Sequence, residues 1–406
     1  MVSPVKRTLP AQQQVHLPEK PSAGFFGFMQ ILICGGGVIG ACTAYYLARK
    51  GVDVVVVERS GVANAASGKS GGFLALDWCR ESPLDALARH SFGLHQLLAT
   101  DLGRDLNLEW GYRPLETLSV VSSKRRDLSS LTGESSPDWL GADARVHARI
   151  GTTETTAQLD PERFTKAMIA AARDSGAEVR IGTVEGIELA DDGRRATGAI
   201  VDGVSVPADA VVIAMGPWSI LACRWLPLPG VFGIKGHSIV YRFEPDSAAA
   251  LFVEVETEDG EVENPEVVPR ADGTTYVCGL SSQALLPVDP ATVSSDAGAI
   301  ERLKELTASF SPALAQAPVL ASQASQASQA CHRPVTEDNL PLIGAVPAVS
   351  GAFVATGHGV WGMLNGPATG QAVADLIVDG STPHVDLSPF DPGRMPRFDP
   401  DRLNLR

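Results

Sequence analysis

The chain lacks any close pairing of cysteines. Its six lie at 34, 42, 79, 223, 278 and 331, without a Cys-x-x-Cys step. That scatter argues against a disulfide framework and against a zinc site, and it suits a reducing compartment. The eight histidines show no His-x-x-x-His or comparable spacing, so no metal centre is expected. Long apolar runs are missing as well. Stretches such as Val54–Val57 and Ala210–Met215 fall far short of the ~20 residues that cross a bilayer, so no membrane span is expected. Basic charge is scarce: 33 Lys and Arg against 47 Asp and Glu leave a net charge of −14. Such a balance opposes attraction to phosphate backbones, and nucleic acid is not an expected partner. The one basic cluster, Lys124-Arg125-Arg126, reads as a solvated loop. What remains is ample apolar material, 44% of 406 residues, enough for two or three domains with real cores.

Residues 1–28 carry four prolines and the polar run Gln12-Gln13-Gln14, with no helical or strand period. They read as a disordered tail of a cytoplasmic protein; organelle targeting through this segment is the alternative. The first structured unit follows. Ile31-Leu32-Ile33-Cys34 has the texture of a buried strand, and Ala41, Ala44, Tyr45, Leu47 and Ala48 share one helix face until Gly51. Val54–Val57 is a second strand, apolar on both faces as a parallel sheet requires. Later come a helix over Phe164–Ser175 and strands at Glu178–Ile181 and Ala210–Met215. The spacing around Asp272-Gly273 predicts a hairpin from Val268 to Val277. Seven acidic residues between Glu254 and Glu266, with no base among them, read as a solvated loop or edge. The Ala-Ser-Gln repeat from Ala321 to Gln329 reads as a short low-complexity expansion.

Between the first strand and its helix lies Gly35-x-Gly37-x-x-Gly40. The first glycine permits the tight turn, the second lets backbone N–H groups approach a pyrophosphate, and the third allows close helix–strand packing. Val38 and Ile39 open the helix, whose N-terminus adds partial positive charge. Glu58 closes the second strand, placed to accept from an adenosine ribose, with Arg59 beside it. A dinucleotide site is the expectation. A second small-residue loop, Ser67-Gly68-Lys69-Ser70-Gly71-Gly72, follows Glu58 and offers backbone donors to a cofactor longer than a nicotinamide dinucleotide.

Here the chain resembles the FAD-dependent amino-acid and amine oxidases of the D-amino-acid oxidase, glycine oxidase and sarcosine oxidase superfamily. The resemblance covers roughly residues 30–380. It rests on the opening glycines and on the strand that ends in Gly216-Pro217-Trp218-Ser219. It rests further on the Pro269-Arg270-x-Asp272-Gly273 hairpin and on Arg333-Pro334-x-Thr336-x-Asp338-x-x-Pro341-x-Ile343-Gly344. Gly357-His358-Gly359 and Gly366-Pro367-Ala368-Thr369-Gly370 complete it. The resemblance implies FAD as cofactor, with Val184 near the adenine. It also implies that the segment Gly359, Val360, Trp361, Gly362 and Met363 begins a helix aimed at the flavin, whose amides stabilise charge on the reduced ring.

The implied reaction is hydride transfer to flavin from the carbon beside an amine, giving an imine that hydrolyses. Dioxygen then reoxidises the flavin and yields hydrogen peroxide. The flavin performs the redox step, and the protein orients the substrate. The substrate is expected to be a small amine or amino acid. Alternatives are a flavin dehydrogenase using another acceptor and a flavoprotein with mainly an interaction or trafficking role. Arg333 is placed to bind a substrate carboxylate through a bidentate fork, or else forms a structural ion pair. His358 stands either beside the flavin or as a hydrogen-bonded structural histidine. Lys235-Gly236-His237 either brings a side chain to the flavin edge or merely turns into a strand. Cys331 matches the spacing of a covalent flavin link in sarcosine-oxidase-like enzymes. The His332-Arg333-Pro334 that follows has the glycine-oxidase-like pattern instead, which leaves an ordinary buried thiol as the other reading.

The expected architecture is α/β. A Rossmann-like FAD-binding domain is assembled from 29–110, 151–230 and 331–385. A mixed-sheet α+β substrate domain comes from 111–150 and 231–330, and 386–406 forms a C-terminal tail.

Overall fold

The structure, a computed structural model, describes residues 29–131, 135–320 and 328–403. The expectations for 1–28 and for most of the Ala-Ser-Gln repeat lie outside the described residues. The central element is a six-stranded sheet in the order Leu342–Ala345, Ala352–Thr356, Ala210–Ile213, Gln30–Cys34, Asp53–Glu58, Glu178–Ile181. All neighbours pair in parallel except the edge pair Leu342–Ala345 and Ala352–Thr356, which is antiparallel.

Alternation along these strands separates two cores. Ile31, Ile33, Val54 and Val56 pack beneath the helices Val38–Arg49, Asp85–Leu106, Pro161–Asp174 and Gly362–Asp379. Leu32, Cys34, Val55 and Val57 face the opposite way, into a core shared with the three-stranded meander Val184–Leu189, Ala196–Val201 and Val204–Pro207. Burial on both faces is why these strands read as unbroken apolar runs. Pro161 stands in the first turn of its helix, where a missing N–H costs nothing, and Asp160 caps it by accepting from the Arg163 amide at 2.8 Å.

A second, mixed sheet carries Ser328–Val335, Phe232–Tyr241, Thr275–Ser282, Glu266–Pro269, Ala250–Glu256, Thr117–Ser123 and Ala144–Gly151, in that order. The hairpin forms around Asp272-Gly273 as the spacing predicts, with Gly273 at φ +78°. One face of the sheet is closed by the helix Ala299–Phe310, packed on Ile239, Tyr241, Val267 and Val277. The other face looks toward the first domain.

Two boundaries differ from expectation. The line drawn at 331 falls inside Ser328–Val335, which pairs with Phe232–Tyr241 in the second sheet, so the chain returns to the first domain only after Val335. The C-terminal stretch is packed through residue 403: Phe390 is buried in the main core, and Arg394 binds Asp338 at 2.8 and 3.0 Å. The acidic run is a solvated turn only in its middle, at Glu258, Asp259 and Glu261; Glu254 and Glu256 stand on an inner strand where they meet Arg126, and Glu263 and Glu266 are half-buried. No helix among the described residues is long and apolar enough to cross a membrane.

Candidate active site

A cavity of about 710 Å³ runs between the two sheets. At one end lies the opening glycine turn. A β-carbon on Gly35 would stand 2.4 Å from the Ala214 carbonyl oxygen, one on Gly40 2.0 Å from the Gly35 carbonyl, and one on Gly37 3.1 Å from Ser67 Oγ. The first two glycines fit because strand, turn and helix backbones touch there. Gly40 therefore packs the helix and does not line the cavity, whereas Gly35, Gly37, Val38 and Ile39 do. Ser67 Oγ accepts from the Val38 amide at 2.9 Å, which ties the second small-residue loop to the helix start.

Glu58 lines the same end. Its two oxygens accept from the Gly36 amide at 2.7 Å and the Ser60 amide at 3.0 Å, which fixes the carboxylate in place. Ser70, Gly71, Gly72 and Val184 also line the cavity. Gly68 and Lys69 do not. A β-carbon on Gly68 would be 2.1 Å from the Ala63 carbonyl, and Lys69 extends to the Ala330 carbonyl at 3.4 Å. Gly68 packs within its own loop, and Lys69 joins that loop to the second sheet. Arg59 and Trp218 line the wall and donate to the Val288 and Pro287 carbonyls at 3.0 and 2.7 Å, so both hold a loop of the second domain over the cavity. Gly216 is at φ +55°, a conformation that favours glycine.

Farther along, Gly359, Val360, Trp361, Gly362 and Met363 bring the start of the last helix to the cavity. Gly359 has φ +57° and open space where a β-carbon would be, while Gly357 is packed against Thr336 behind the wall. His358 lines the cavity and is buried. Its Nε2 meets Thr369 Oγ1 at 3.0 Å, its Nδ1 has no partner among the described residues, and burial pushes its pKa down to about 3. The ring is therefore neutral at physiological pH.

The wall from the second sheet carries Arg333, Cys331, Cys278, Tyr276 and Glu266. Arg333 Nη2 donates to Ser281 Oγ at 2.6 Å, and no carboxylate lies within ion-pair distance of it among the described residues. Burial pushes the Cys331 thiol up, opposed by Arg333 and Lys69. Tyr276 is a buried, packed aromatic whose hydroxyl donates to the Lys69 carbonyl at 3.1 Å.

Lys235 and His237 are a correction. Strand alternation turns both to the helix-covered face, away from Arg333. Lys235 Nζ pairs with Asp296 at 2.6 Å. His237 touches the cavity margin, but Nδ1 donates to the Leu280 carbonyl at 2.6 Å and Nε2 accepts the Asp296 amide at 3.1 Å. Both ring nitrogens are used in holding a bulge at Leu280, a residue at φ +54°. Neither side chain is free to reach a cofactor edge.

Motif reading passed over Glu266, Ser281, Phe73, Trp78 and Phe252, all of which line the cavity. Only the period-two alternation of their strands could have marked Glu266 and Phe252.

The residues present fit FAD. A glycine cradle that side chains would block, a fixed carboxylate one strand away, and a buried ring nitrogen without a partner beside the last helix are what a long dinucleotide would satisfy.

Comparison with known proteins agrees. The family described as DAO, FAD dependent oxidoreductase, matches residues 30–376. The chain is 29% identical to a glycine oxidase of Geobacillus kaustophilus, covering 89% of this chain and 95% of the relative. It is 27% identical to a putative oxidoreductase of Schizosaccharomyces pombe over 89% and 97% of the two chains. A D-amino acid dehydrogenase of Cereibacter sphaeroides is 28% identical, covering 88% and 93%. A crystal structure of glycine oxidase from Geobacillus kaustophilus superposes with a TM-score of 0.74 at 25% identity, over 90% of this chain and 99% of that one. With motif, cavity and family match in agreement over most of its length, the chain belongs to the DAO family of FAD-dependent oxidoreductases, an enzyme with FAD as its cofactor.

Proposed function

We propose that this enzyme oxidises the C–N bond of a small carboxylate-bearing amine or amino acid to an imine, with dioxygen as the acceptor. The observation that carries the reading is Arg333. It is a guanidinium on the cavity wall, held by Ser281 Oγ, with no carboxylate of its own among the described residues. A planar fork with free donors matches a substrate carboxylate in two parallel hydrogen bonds.

When bound, FAD supplies the two-electron acceptor for the substrate C–H bond. The chain's own residues do the positioning. Gly35–Gly40 and Glu58 would hold the dinucleotide end, and His358 with the amides at the start of Gly362–Asp379 would face the ring. The apolar wall excludes water from the reacting carbon. Arg333 fixes one end of the substrate so that its α-carbon meets the ring.

A dehydrogenase reading is supported by the likeness to a D-amino acid dehydrogenase. It differs only in what reoxidises the cofactor. The test is anaerobic titration of the yellow holoenzyme with a panel of glycine, sarcosine, D- and L-amino acids and simple amines, followed by admission of air or of a dye acceptor. Bleaching by carboxylate-bearing amines, with peroxide on reoxidation, is expected. Fast dye reduction with slow peroxide formation would favour the dehydrogenase. In Arg333→Met, KM for the active amine should rise at least ~30-fold while bound FAD is retained. Absence of bleaching by every member of the panel would overturn the reading.

A further inference from the structure

One wall of the cavity is chemically unlike the rest. On the second sheet, Phe252 and Glu266 are direct cross-strand partners. Around Phe252 the rings of Phe73 and Trp78 lie at centroid distances of 5.2 and 4.7 Å, and Phe73 and Trp78 are themselves 5.0 Å apart. All four residues line the cavity. Glu266 is half-buried among them, and among the described residues its carboxylate accepts only a weak hydrogen bond from Cys278 Sγ at 3.6 Å. It has no ion pair among the described residues. Burial pushes its carboxyl up, and the Arg333 charge on the same face opposes that shift.

A carboxylate placed in such a corner is costly unless a cation arrives to pair with it. An aromatic ring attracts an ammonium set over its negative face, so three rings beside the carboxylate would add to its pull on a cation. Glu263, three residues before Glu266, also lines the cavity. Arg333 stands on Ser328–Val335 and Glu266 three strands away in the sheet order, with both long side chains on the face between. The register also offsets them by four residues along the strands, since Glu266 pairs through Cys278 and Ser238 with Gln329, and the Arg333 side chain makes up the distance by leaning across Gly236 to Ser281, on the strand next to that of Glu266, where its charge acts on the Glu266 carboxyl.

We propose that Glu266, with Phe252, Trp78 and Phe73 beside it, is the subsite that receives the substrate's ammonium group, so that the pocket selects a zwitterion clamped between Arg333 and Glu266. This rests on the reading of the cavity as an amine-oxidation site. It adds what that reading leaves open, namely which residues hold the nitrogen and why a carboxylate alone is a poor substitute.

The test uses the holoenzyme and equilibrium binding, read anaerobically as a shift of the flavin absorbance or, for probes that bleach it, as the concentration giving half-saturation. The probes are glycine, sarcosine and proline as zwitterions, with acetate and propionate as carboxylates lacking nitrogen. In Glu266→Gln, affinity for the zwitterion that binds best should fall by about tenfold or more, while acetate and propionate bind as before or more tightly. Glu266→Asp, which keeps the charge, should retain the preference for zwitterions. FAD content and Tm of each variant serve as folding controls. Equal weakening of zwitterions and carboxylates in Glu266→Gln would overturn the proposal, as would wild-type protein that binds no zwitterion better than acetate. Zwitterions that bind and respond to Glu266 yet never bleach the flavin would leave the subsite standing and sink the oxidation reading. Bleaching indifferent to Glu266 would do the reverse.

Discussion

His95 Nε2 lies 2.9 Å from the Met363 carbonyl, although the two residues are 268 positions apart. Pro367, four residues after Met363, has no N–H to give, so that carbonyl has no partner inside its own helix. His95 supplies the missing donor and also reaches the Leu364 carbonyl at 3.1 Å, while Ser91 Oγ accepts the freed Ala368 amide at 3.0 Å. One turn of the helix Asp85–Leu106 thus repairs the broken first turn of Gly362–Asp379. That repaired turn is the one that borders the cofactor cavity.

Either form of the ring can donate from Nε2, and burial selects the neutral one. Burial pushes the His95 pKa down to about 4, whereas in the unfolded chain it is near its ordinary value of 6.5. Between these values the unfolded state binds more protons. The contribution is therefore fully present above pH 6.5 and is lost as pH falls toward 4, for a total of about 3 kcal/mol. Urea unfolding of the wild type should show a falling midpoint over this window. His95→Leu should lower stability by about 1–3 kcal/mol at pH 7.5, since two buried carbonyls lose their donor, and it should flatten the pH dependence. An unchanged slope in the variant would contradict the assignment.

Gly370 in the last helix presses on the first. A β-carbon there would lie 2.5 Å from the Cys42 carbonyl carbon and 2.7 Å from Cys42 Cβ. Backbone cannot yield as a side chain does, so Gly370→Ala should push the two helices apart and cost about 1–3 kcal/mol. Differential scanning calorimetry should record a lower Tm, and the holoenzyme should lose FAD more readily because both helices point at the cavity. Gly380→Ala, where nothing approaches within 4 Å, is the control for backbone strain alone, since Gly380 is at φ +70°.

Glu58 should be worth more to the cofactor than to the fold. Its carboxylate keeps the glycine turn in shape through the Gly36 and Ser60 amides, and it stands ready for the ribose hydroxyls. Glu58→Gln preserves shape and removes the charge. Reconstitution of the apoprotein should show FAD affinity reduced about 10- to 100-fold with Tm of the apoprotein little changed, the difference made by charged over neutral hydrogen bonds. A Tm that falls as far as the affinity would mean the residue is purely structural.

What the sequence reveals of this site follows from distance along the chain. Gly35, Gly37, Gly40 and Glu58 belong to one strand–turn–helix–strand unit, where spacing alone dictates geometry, and they are legible at once. Lys235 and His237 are legible as a strand pair on one face, but period two does not say which face meets the cavity. Glu266 is hidden in an acidic run whose middle is a solvated turn and whose Glu254 and Glu256 meet Arg126. Only the pairing of its strand with Ala250–Glu256 and Thr275–Ser282 turns it inward. The His95 repair has no local signature, because the proline that calls for it and the histidine that answers lie in different segments of the chain.

Cys331 lines the cavity on the same strand face as Arg333, so position alone does not separate a flavin-linked thiol from a free one. Reactivity does. A thiol attacks as its thiolate, and burial pushes Cys331 up, away from that form, with Arg333 and Lys69 countering only in part. The thiol is expected to stay protonated and the FAD to remain unlinked. Acid precipitation of the yellow protein should leave the colour in the supernatant, and intact mass spectrometry should give the mass of the unmodified polypeptide. Cys331→Ala should bind FAD as the wild type does, since it loses only a packed sulfur. Colour that stays with the precipitate in wild type and leaves it in Cys331→Ala would show that Cys331 carries the flavin and would overturn this expectation.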